Sequence, residues 1–300
     1  MWGDFALSNV AYSSPKNLTE LVHLLAQDRQ ATLWAGGTDL TVKLENKRLK
    51  VSHIINLKDI RELNFIEEAE NIKIGALTTL RKLEASDLIR KEYPLLAQAA
   101  HALGSWQIRT LATLGGNLAN AAPSAETATP ILVLNGTMII KGKNTERKVP
   151  AAEFFRGPGQ TVLKQGEVLT AVELPKLTSD FKSIYLKHSL RRSMDIALVG
   201  VACVLRLDGD KCQEARIGLG AVAPTPIRAS KTEQFLTKKT LTTSIIAEAS
   251  RLAVEECRPI DDIRATASYR RELVQVLVKR ALTALVKDGG SDENTDWFNG

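Results

Sequence analysis

The chain has 300 residues, 44% hydrophobic and 25% charged, with a formal net charge of +6. Such a length buries a full core in two or three domains, and such a composition excludes disordered and fibrous classes. No apolar run approaches the ~18 residues of a membrane helix, and Met1-Trp2-Gly3-Asp4-Phe5 lacks the basic and apolar regions of a secretory signal. Three cysteines, Cys203, Cys212 and Cys257, with no C-x-x-C pair, suit a reducing compartment, so a cytoplasmic location is expected. The basic residues are scattered as isolated pairs such as Lys47-Arg48 and Lys238-Lys239, and aromatics make up only 5%. That argues against nucleic acid, which wants stacking surfaces, and suits a diphosphate ligand or an acidic partner.

In chain order, residues 1–60 read as a small α/β unit. Asn17 with Glu20 three residues on signals a helix start, and Leu18, Leu21, Val22 and Leu25 follow at helical spacing. The run 31–35 predicts a strand that delivers Gly36-Gly37, and 52–57 a second strand. A second unit, 61–176, contains a strand over 71–76, one helix over 79–93 and another over 94–104 with Pro at its first turn. A long glycine- and alanine-rich stretch around Gly115-Gly116 comes next, then a short helix over 131–134 opened by Pro130, and strands at 138–140 and 170–174. Residues 177–287 change texture. Strands over 198–207 and 215–222 join across Asp208-Gly209-Asp210, and helices are expected over 243–257 and 262–286. The acidic tail, 288–300, is expected to be mobile.

The two glycine pairs are the chemical signal. Glycine lets backbone amides approach an anion closely, and two such loops flanked by Thr, Asp and Asn suggest one diphosphate gripped from two sides. No G-x-x-x-x-G-K-[ST] occurs, so a P-loop is excluded, and neither pair extends to G-x-G-x-x-G, so a Rossmann site is not expected. There is no G-x-S-x-G or H-E-x-x-H, and His23, His53, His101 and His188 are dispersed. Such poverty fits a chain that leaves the chemistry to a redox cofactor.

Four ordered motifs carry a family resemblance: A-G-G-T-D-L at 35–40, T-L-G-G-N-L-A-N-A-A-P-S-A-E at 113–126, Tyr185-x-Lys187 followed by Arg191-Arg192-x-x-Asp195, and P-I-D-D-I-R-A-T-A-S-Y-R at 259–270. Together they resemble the FAD-binding subunit of the molybdenum hydroxylases, the group of xanthine and carbon monoxide dehydrogenases. The resemblance implies an α+β chain. A two-subdomain FAD-binding fold of the PCMH (vanillyl-alcohol oxidase-like) type would precede a C-terminal α+β domain with a small antiparallel sheet and packed helices.

On that resemblance, Leu33 and Ala35 line the cofactor. Gly36, Gly37 and Thr38 face the pyrophosphate, while Asp39 and Leu40 complete the turn. Thr113, Gly115, Gly116 and Asn117 contact the diphosphate and ribityl chain. Ser124 and Glu126 approach the adenosine ribose, Glu126 standing where relatives commonly carry Asp, and Leu169 makes a backbone contact to the adenine. Tyr185 stacks beside the isoalloxazine, and Lys187 places a cation near its pyrimidine end, where it raises the potential. Asp195 orders the loop after the arginine pair.

FAD is expected to be non-covalent, because no His lies beside either glycine pair, and the chain to be free of iron–sulfur clusters and metals. The resemblance further implies separate partner chains: a molybdopterin-binding large subunit that oxidises substrate, and a small subunit whose [2Fe-2S] clusters relay electrons to this flavin. NAD is one candidate acceptor, and a heterohexamer, a dimer of heterotrimers, one candidate assembly. The rivals are a stand-alone FAD-dependent reductase and a non-redox assembly subunit of the same fold.

Overall fold

The computed structural model describes residues 10–287. Three hydrophobic clusters organise it. The first unit contains β1 (Ala11–Ser13), α1 (Leu18–Gln27), β2 (Thr32–Trp34), α2 (Leu40–Glu45) and β3 (His53–Asn56), its strands forming a parallel sheet in the order β1-β3-β2. Asn17 caps α1 by accepting from the Glu20 amide, and Glu20 reaches back to the Lys16 amide and the Asn17 side chain. Its buried face, Leu21, Val22 and Leu25, packs on Ile55 and Leu57. Burial of each such side chain contributes about 1.5–3 kcal/mol.

The second unit is built on an antiparallel sheet in the order β4-β5-β10-β6-β7. Its elements are β4 (Ile66–Glu68), β5 (Asn71–Gly75), α3 (Leu80–Ala85), α4 (Asp87–Glu92), α5 (Pro94–His101), α6 (Trp106–Leu111), α7 (Leu114–Ala119), α8 (Ala128–Val133), β6 (Thr137–Lys141), β7 (Glu146–Pro150), α9 (Ala151–Phe154), a ribbon of β8 (Phe155–Gly157) and β9 (Gln160–Thr161), and β10 (Val168–Pro175). The helix expected over 79–93 is two helices. Ser86 adopts extended backbone and accepts from the Ile89 amide, ending α3 and capping α4. The glycine- and alanine-rich stretch is not irregular: Ser105 and Thr113 cap α6 and α7 in the same way. Pro130 does not open its helix but is the third residue of α8. There it still leaves no intrahelical donor idle, because the first four helical amides lack partners anyway.

The third unit pairs β11 (Phe181–His188), β12 (Val199–Asp208), β13 (Lys211–Gly220) and β14 (Ile227–Arg228) antiparallel in that order, with α10 (Ser230–Leu236), α11 (Thr243–Glu256) and α12 (Ala267–Lys287). Strand alternation makes this sheet two-faced. Val201, Cys203 and Leu205 pack with α11 and α12, whereas Ala202, Val204 and Tyr185 join the core of the second unit. That shared face fixes the sheet against the cleft described below.

The last helix begins at Ala267, not at 262. Asp262 accepts from the Arg264 and Ala265 amides and so holds a turn, and Thr266 accepts from the Tyr269 amide at the true start. The 259–270 motif thereby acquires a structural reading. Arg270, 4% exposed, donates to the carbonyls of Leu198 and Ala221 and pairs with Asp262 at 2.9 Å, tying α12 to the sheet. The expected mobile tail lies outside the described residues.

Candidate functional site

The strands β2 and β3 run parallel, so their carboxyl ends point the same way and deliver Ala35-Gly36-Gly37 and Leu57 to one edge. Against that edge stand the ends of α6 and α7. The contact is so close that a Cβ at Gly36 would come within 2.1 Å of the Leu111 carbonyl oxygen. Between the two glycine segments opens a cleft of about 570 Å³, within the ordinary size of a small-molecule site. Leu33, Ala35, Gly36, Gly37, Thr38, Asp39, Leu40, Thr113, Gly115, Gly116, Asn117, Ser124, Glu126 and Leu169 all line it. Tyr185 and Lys187 do not.

The glycine pairs divide the work. Gly37 has φ +77°, which lets the chain turn into α2. Among the described residues, the amides of Gly36, Gly37, Thr38 and Asp39 find no acceptor in the protein, and all four residues face the cleft. A run of unpaired donors in a glycine turn is an anion cradle. The second pair is different. The Gly115 amide donates to Ala76 at 2.8 Å, that of Gly116 to the Thr113 hydroxyl at 3.0 Å, and that of Asn117 to the Thr113 carbonyl at 2.9 Å. Its amides are therefore occupied, and what it supplies is room. A Cβ at Gly116 would meet only Thr113 Oγ1 at 2.9 Å and Ala35 Cβ at 4.0 Å, filling the gap between the two loops. The expectation that both loops present free amides is corrected: the first loop leaves its amides unpaired, and the second leaves room instead.

Side chains complete the cleft. Asn117 Oδ1 accepts from Thr127 Oγ1 at 2.6 Å, which fixes the amide and leaves its Nδ2 donors unpaired among the described residues. Lys43, which the sequence reading missed, lines the cleft one turn beyond Asp39 and reaches Asn120 Oδ1 across it. Its signal was the four-residue spacing, which brings a lysine over a helix start. Leu169 sits where the register of β10 shifts against β6, an extra residue that bends the strand at the cleft wall.

At the far end lies a buried ion pair. Lys187 Nζ is 2.8 Å from Glu126 Oε1, with side chains 8% and 9% exposed. The same ammonium donates to the carbonyls of Ala102 at 2.9 Å and Asp195 at 2.8 Å, so its three protons are all used. Lys187 is thus a clamp behind the cleft rather than a free cation aimed into it. Burial pushes the Glu126 carboxyl up, against the pull of Lys187. Tyr185 is corrected too: 6% exposed, it packs in the core, and its hydroxyl fills the space a Cβ at Gly200 would take. The residues on the wall there are Leu103, Gly104, Met194 and Ile196. Asp195 orders its loop as expected, accepting from the Arg191 and Ile196 amides, and it also faces the cleft.

Residues 7–177 match the family model described as the FAD binding domain in molybdopterin dehydrogenase, and 184–285 that of the CO dehydrogenase flavoprotein C-terminal domain. The chain is 33% identical to the xanthine dehydrogenase FAD-binding subunit of Escherichia coli O157:H7 over 290 residues, covering 96% of this chain and 98% of that one. It is also 33% identical to the carbon monoxide dehydrogenase medium chain of Hydrogenophaga pseudoflava, covering 91% and 96%. Among solved structures, carbon monoxide dehydrogenase from Hydrogenophaga pseudoflava lacking the Mo-pyranopterin moiety superposes with a TM-score of 0.89 at 33% identity, covering 92% and 97%. Quinoline 2-oxidoreductase from Pseudomonas putida 86 follows with a TM-score of 0.88 at 30% identity, covering 93% and 97%. With an anion cradle on one glycine loop, an opened gap on the other and both family models matched in order, the chain belongs to the FAD-binding medium-chain subunits of the molybdenum hydroxylases, oxidoreductase flavoproteins of the xanthine and carbon monoxide dehydrogenase type.

Proposed function

We propose that the cleft holds FAD non-covalently and that the chain is an electron-transfer subunit. It would accept electrons from the [2Fe-2S] clusters of a small partner subunit and pass them to NAD or another acceptor. A molybdopterin-binding large subunit would oxidise the substrate, the whole forming a heterohexamer in the cytoplasm. The observation that carries this reading is the row of unpaired amides at Gly36, Gly37, Thr38 and Asp39, directly opposite the side-chain-free face of Gly116. A diphosphate carries the charge those donors lack, and only a backbone without a Cβ lets it approach.

Bound FAD would supply the redox chemistry: two electrons taken up from one-electron donors and released to an acceptor. The protein supplies position and field. Lys43 adds a cation at the phosphate end, and the Asn117 Nδ2 donors face the chain between the phosphates and the ring. Leu33, Leu57 and Leu169 offer an apolar pocket for the adenine end, and Leu103, Met194 and Ile196 an apolar wall at the other. With one oxygen bonded to Lys187, Glu126 would lie towards the flavin end on this reading rather than at a ribose hydroxyl. Through the carbonyls of Ala102 and Asp195, Lys187 would hold the two segments of that wall together.

The purified chain tests this through its absorption spectrum before and after addition of NADH. A yellow protein bleached by NADH supports the reading. A colourless chain that takes up no added FAD refutes it.

A further inference from the structure

A second hollow, of about 510 Å³, shares Ala35, Leu77 and Thr113 with the first cleft but carries a different chemistry. Lys58, from the loop after β3, and Arg61, which opens the short 3-10 helix Arg61–Leu63, line it, and neither lines the first cleft. Among the described residues, neither side chain has a hydrogen-bond or ion-pair partner, although the charge of Arg61 helps to hold the Asp59 carboxyl low. The nearby carboxylates are committed elsewhere. Asp59 accepts from Lys16 Nζ and Ser14 Oγ, and Glu62 accepts from the Leu18 amide. A third cation, Lys82, stands at the hollow's Asn64 and donates only to the neutral oxygens of that residue, at 3.2 and 3.3 Å. No acidic residue is among the lining residues. Opposite these charges, Leu111 is 51% exposed, a large apolar side chain left at the surface of a basic hollow.

We propose that this hollow is a second nucleotide site. It would take the phosphates of a nucleoside diphosphate on Lys58 and Arg61, with Lys82 behind them, and its base against Leu111. Three cations, none of them in an ion pair, match a ligand of two or three negative charges better than a single carboxylate, and Arg61 can meet phosphate oxygens with two parallel donors. Leu111 supplies the apolar face that an inorganic anion has no use for. The volume lies within the range of small-molecule sites. Because Thr113 and Ala35 belong to both hollows, a molecule bound here lies against the back of the loops that hold the cofactor.

The test is calorimetric titration of the flavin-loaded chain with ADP, inorganic pyrophosphate and adenosine, with flavin absorbance followed throughout. One ADP per chain is expected, with pyrophosphate binding more weakly and adenosine not at all. The double variant Lys58→Gln/Arg61→Gln should weaken ADP at least tenfold, while Lys211→Gln, on the third unit's sheet, should leave it unchanged. Raised salt should weaken ADP in the wild type and not in the double variant. Circular dichroism confirms that the variants are folded.

The proposal falls if ADP does not bind, if ADP displaces flavin, or if the double variant binds ADP as the wild type does. It also falls if pyrophosphate binds as tightly as ADP. The inference rests on the cofactor reading only in that the first cleft is filled. A chain that takes up no added FAD would refute that reading, while the comparison of wild type and double variant still decides this one, since Lys58 and Arg61 line only the second hollow.

Discussion

Replacing Lys187 with Met removes the counter-charge of a carboxylate that is itself 9% exposed. Breaking a buried pair from one side costs about 3–5 kcal/mol, because the remaining charge stays desolvated. Glu126 has one way out, which is to take up a proton. Its carboxyl is already pushed up by burial in the wild type, and loss of Lys187 pushes it further. The sign follows from linkage: a carboxyl whose folded pKa lies above its unfolded one binds a proton more readily in the fold. Its contribution is therefore fully present below the unfolded value and is lost as pH rises through the folded one. The deficit of Lys187→Met is thus largest at pH 8 and shrinks towards pH 5. What remains there is the loss of the hydrogen bonds to Ala102 and Asp195, about 1–2 kcal/mol.

Thermal unfolding reads this as a midpoint lowered by roughly 6–15 °C at pH 8 and by less than half of that at pH 5. The double variant Glu126→Gln/Lys187→Met should recover most of the loss at pH 8 and be flat with pH. A single variant that loses under about 1 kcal/mol, or whose loss does not change with pH, refutes the buried-pair argument. The pair also decides the effect on flavin. With Glu126 ionised, the variant leaves an extra negative charge and the reduction potential should fall. Once Glu126 is protonated the local charge returns to zero, and the potential should approach that of the wild type.

Gly116→Val should lose flavin while keeping its far-ultraviolet circular dichroism, since the new side chain displaces Thr113 Oγ1 and fills the gap towards Ala35; unchanged flavin content would remove the second loop from the site. Glu84 should contribute to acid stability. Burial raises its carboxyl, but hydrogen bonds from His101 and Arg81 together with the charge and bonds of Arg109 outweigh that and hold it low. Its contribution is present above the unfolded value of about 4.3 and is lost as pH falls through the folded one, so denaturant midpoints between pH 6 and 3 should fall less in Glu84→Gln than in the wild type. Co-expression with its native neighbours should yield a complex containing an iron–sulfur protein and a large molybdopterin protein. Substrate-driven flavin reduction should need all of them, and an isolated chain that oxidises a purine or heterocycle unaided would refute the electron-transfer reading.

Local signals were legible where one short pattern decides the outcome. Asn17 and Glu20 marked α1, and the alternation around Asp208-Gly209-Asp210 marked the β12–β13 hairpin, where Gly209 takes φ +56°. The boundaries that failed were set by side chains bonding to backbone against helical propensity. Ser86 broke a continuous helical pattern, and Asp262 delayed a helix by holding a turn. Such competition depends on whether the side chain finds a free amide, which hydrophobic periodicity does not report. That the two glycine segments would line one cleft was legible in the sequence, and the partners of the side chains there were not. Glu126 and Lys187 are 61 positions apart, so neither their mutual neutralisation nor the capture of all three Lys187 protons was visible from spacing.

That neutralisation changes what these charges can do for a bound flavin. A lone lysine near the ring would raise the potential outright, whereas a Lys–Glu pair sets a field that depends on the proton held by Glu126. The geometry joins this pair to the wall of the cleft through one ammonium. Ala102 leads into Leu103 and Gly104, and the Gly104 carbonyl accepts from the Met194 amide at 3.1 Å and the Ser193 hydroxyl at 3.1 Å, closing a ring of contacts back to Asp195. Met194 adopts φ +55°, a conformation that costs a non-glycine residue energy and persists because these bonds over-determine it. A substitution that frees Lys187 from Asp195 therefore acts on the shape of the cleft as well as on its charge. Asp195→Ala separates the two. It deletes the side-chain bonds to the Arg191 and Ile196 amides while leaving the backbone carbonyl that Lys187 uses. If the loop's shape governs flavin retention, Asp195→Ala loses flavin at every pH. If the ion pair alone governs it, Asp195→Ala keeps flavin and only variants of Glu126 or Lys187 show the pH dependence.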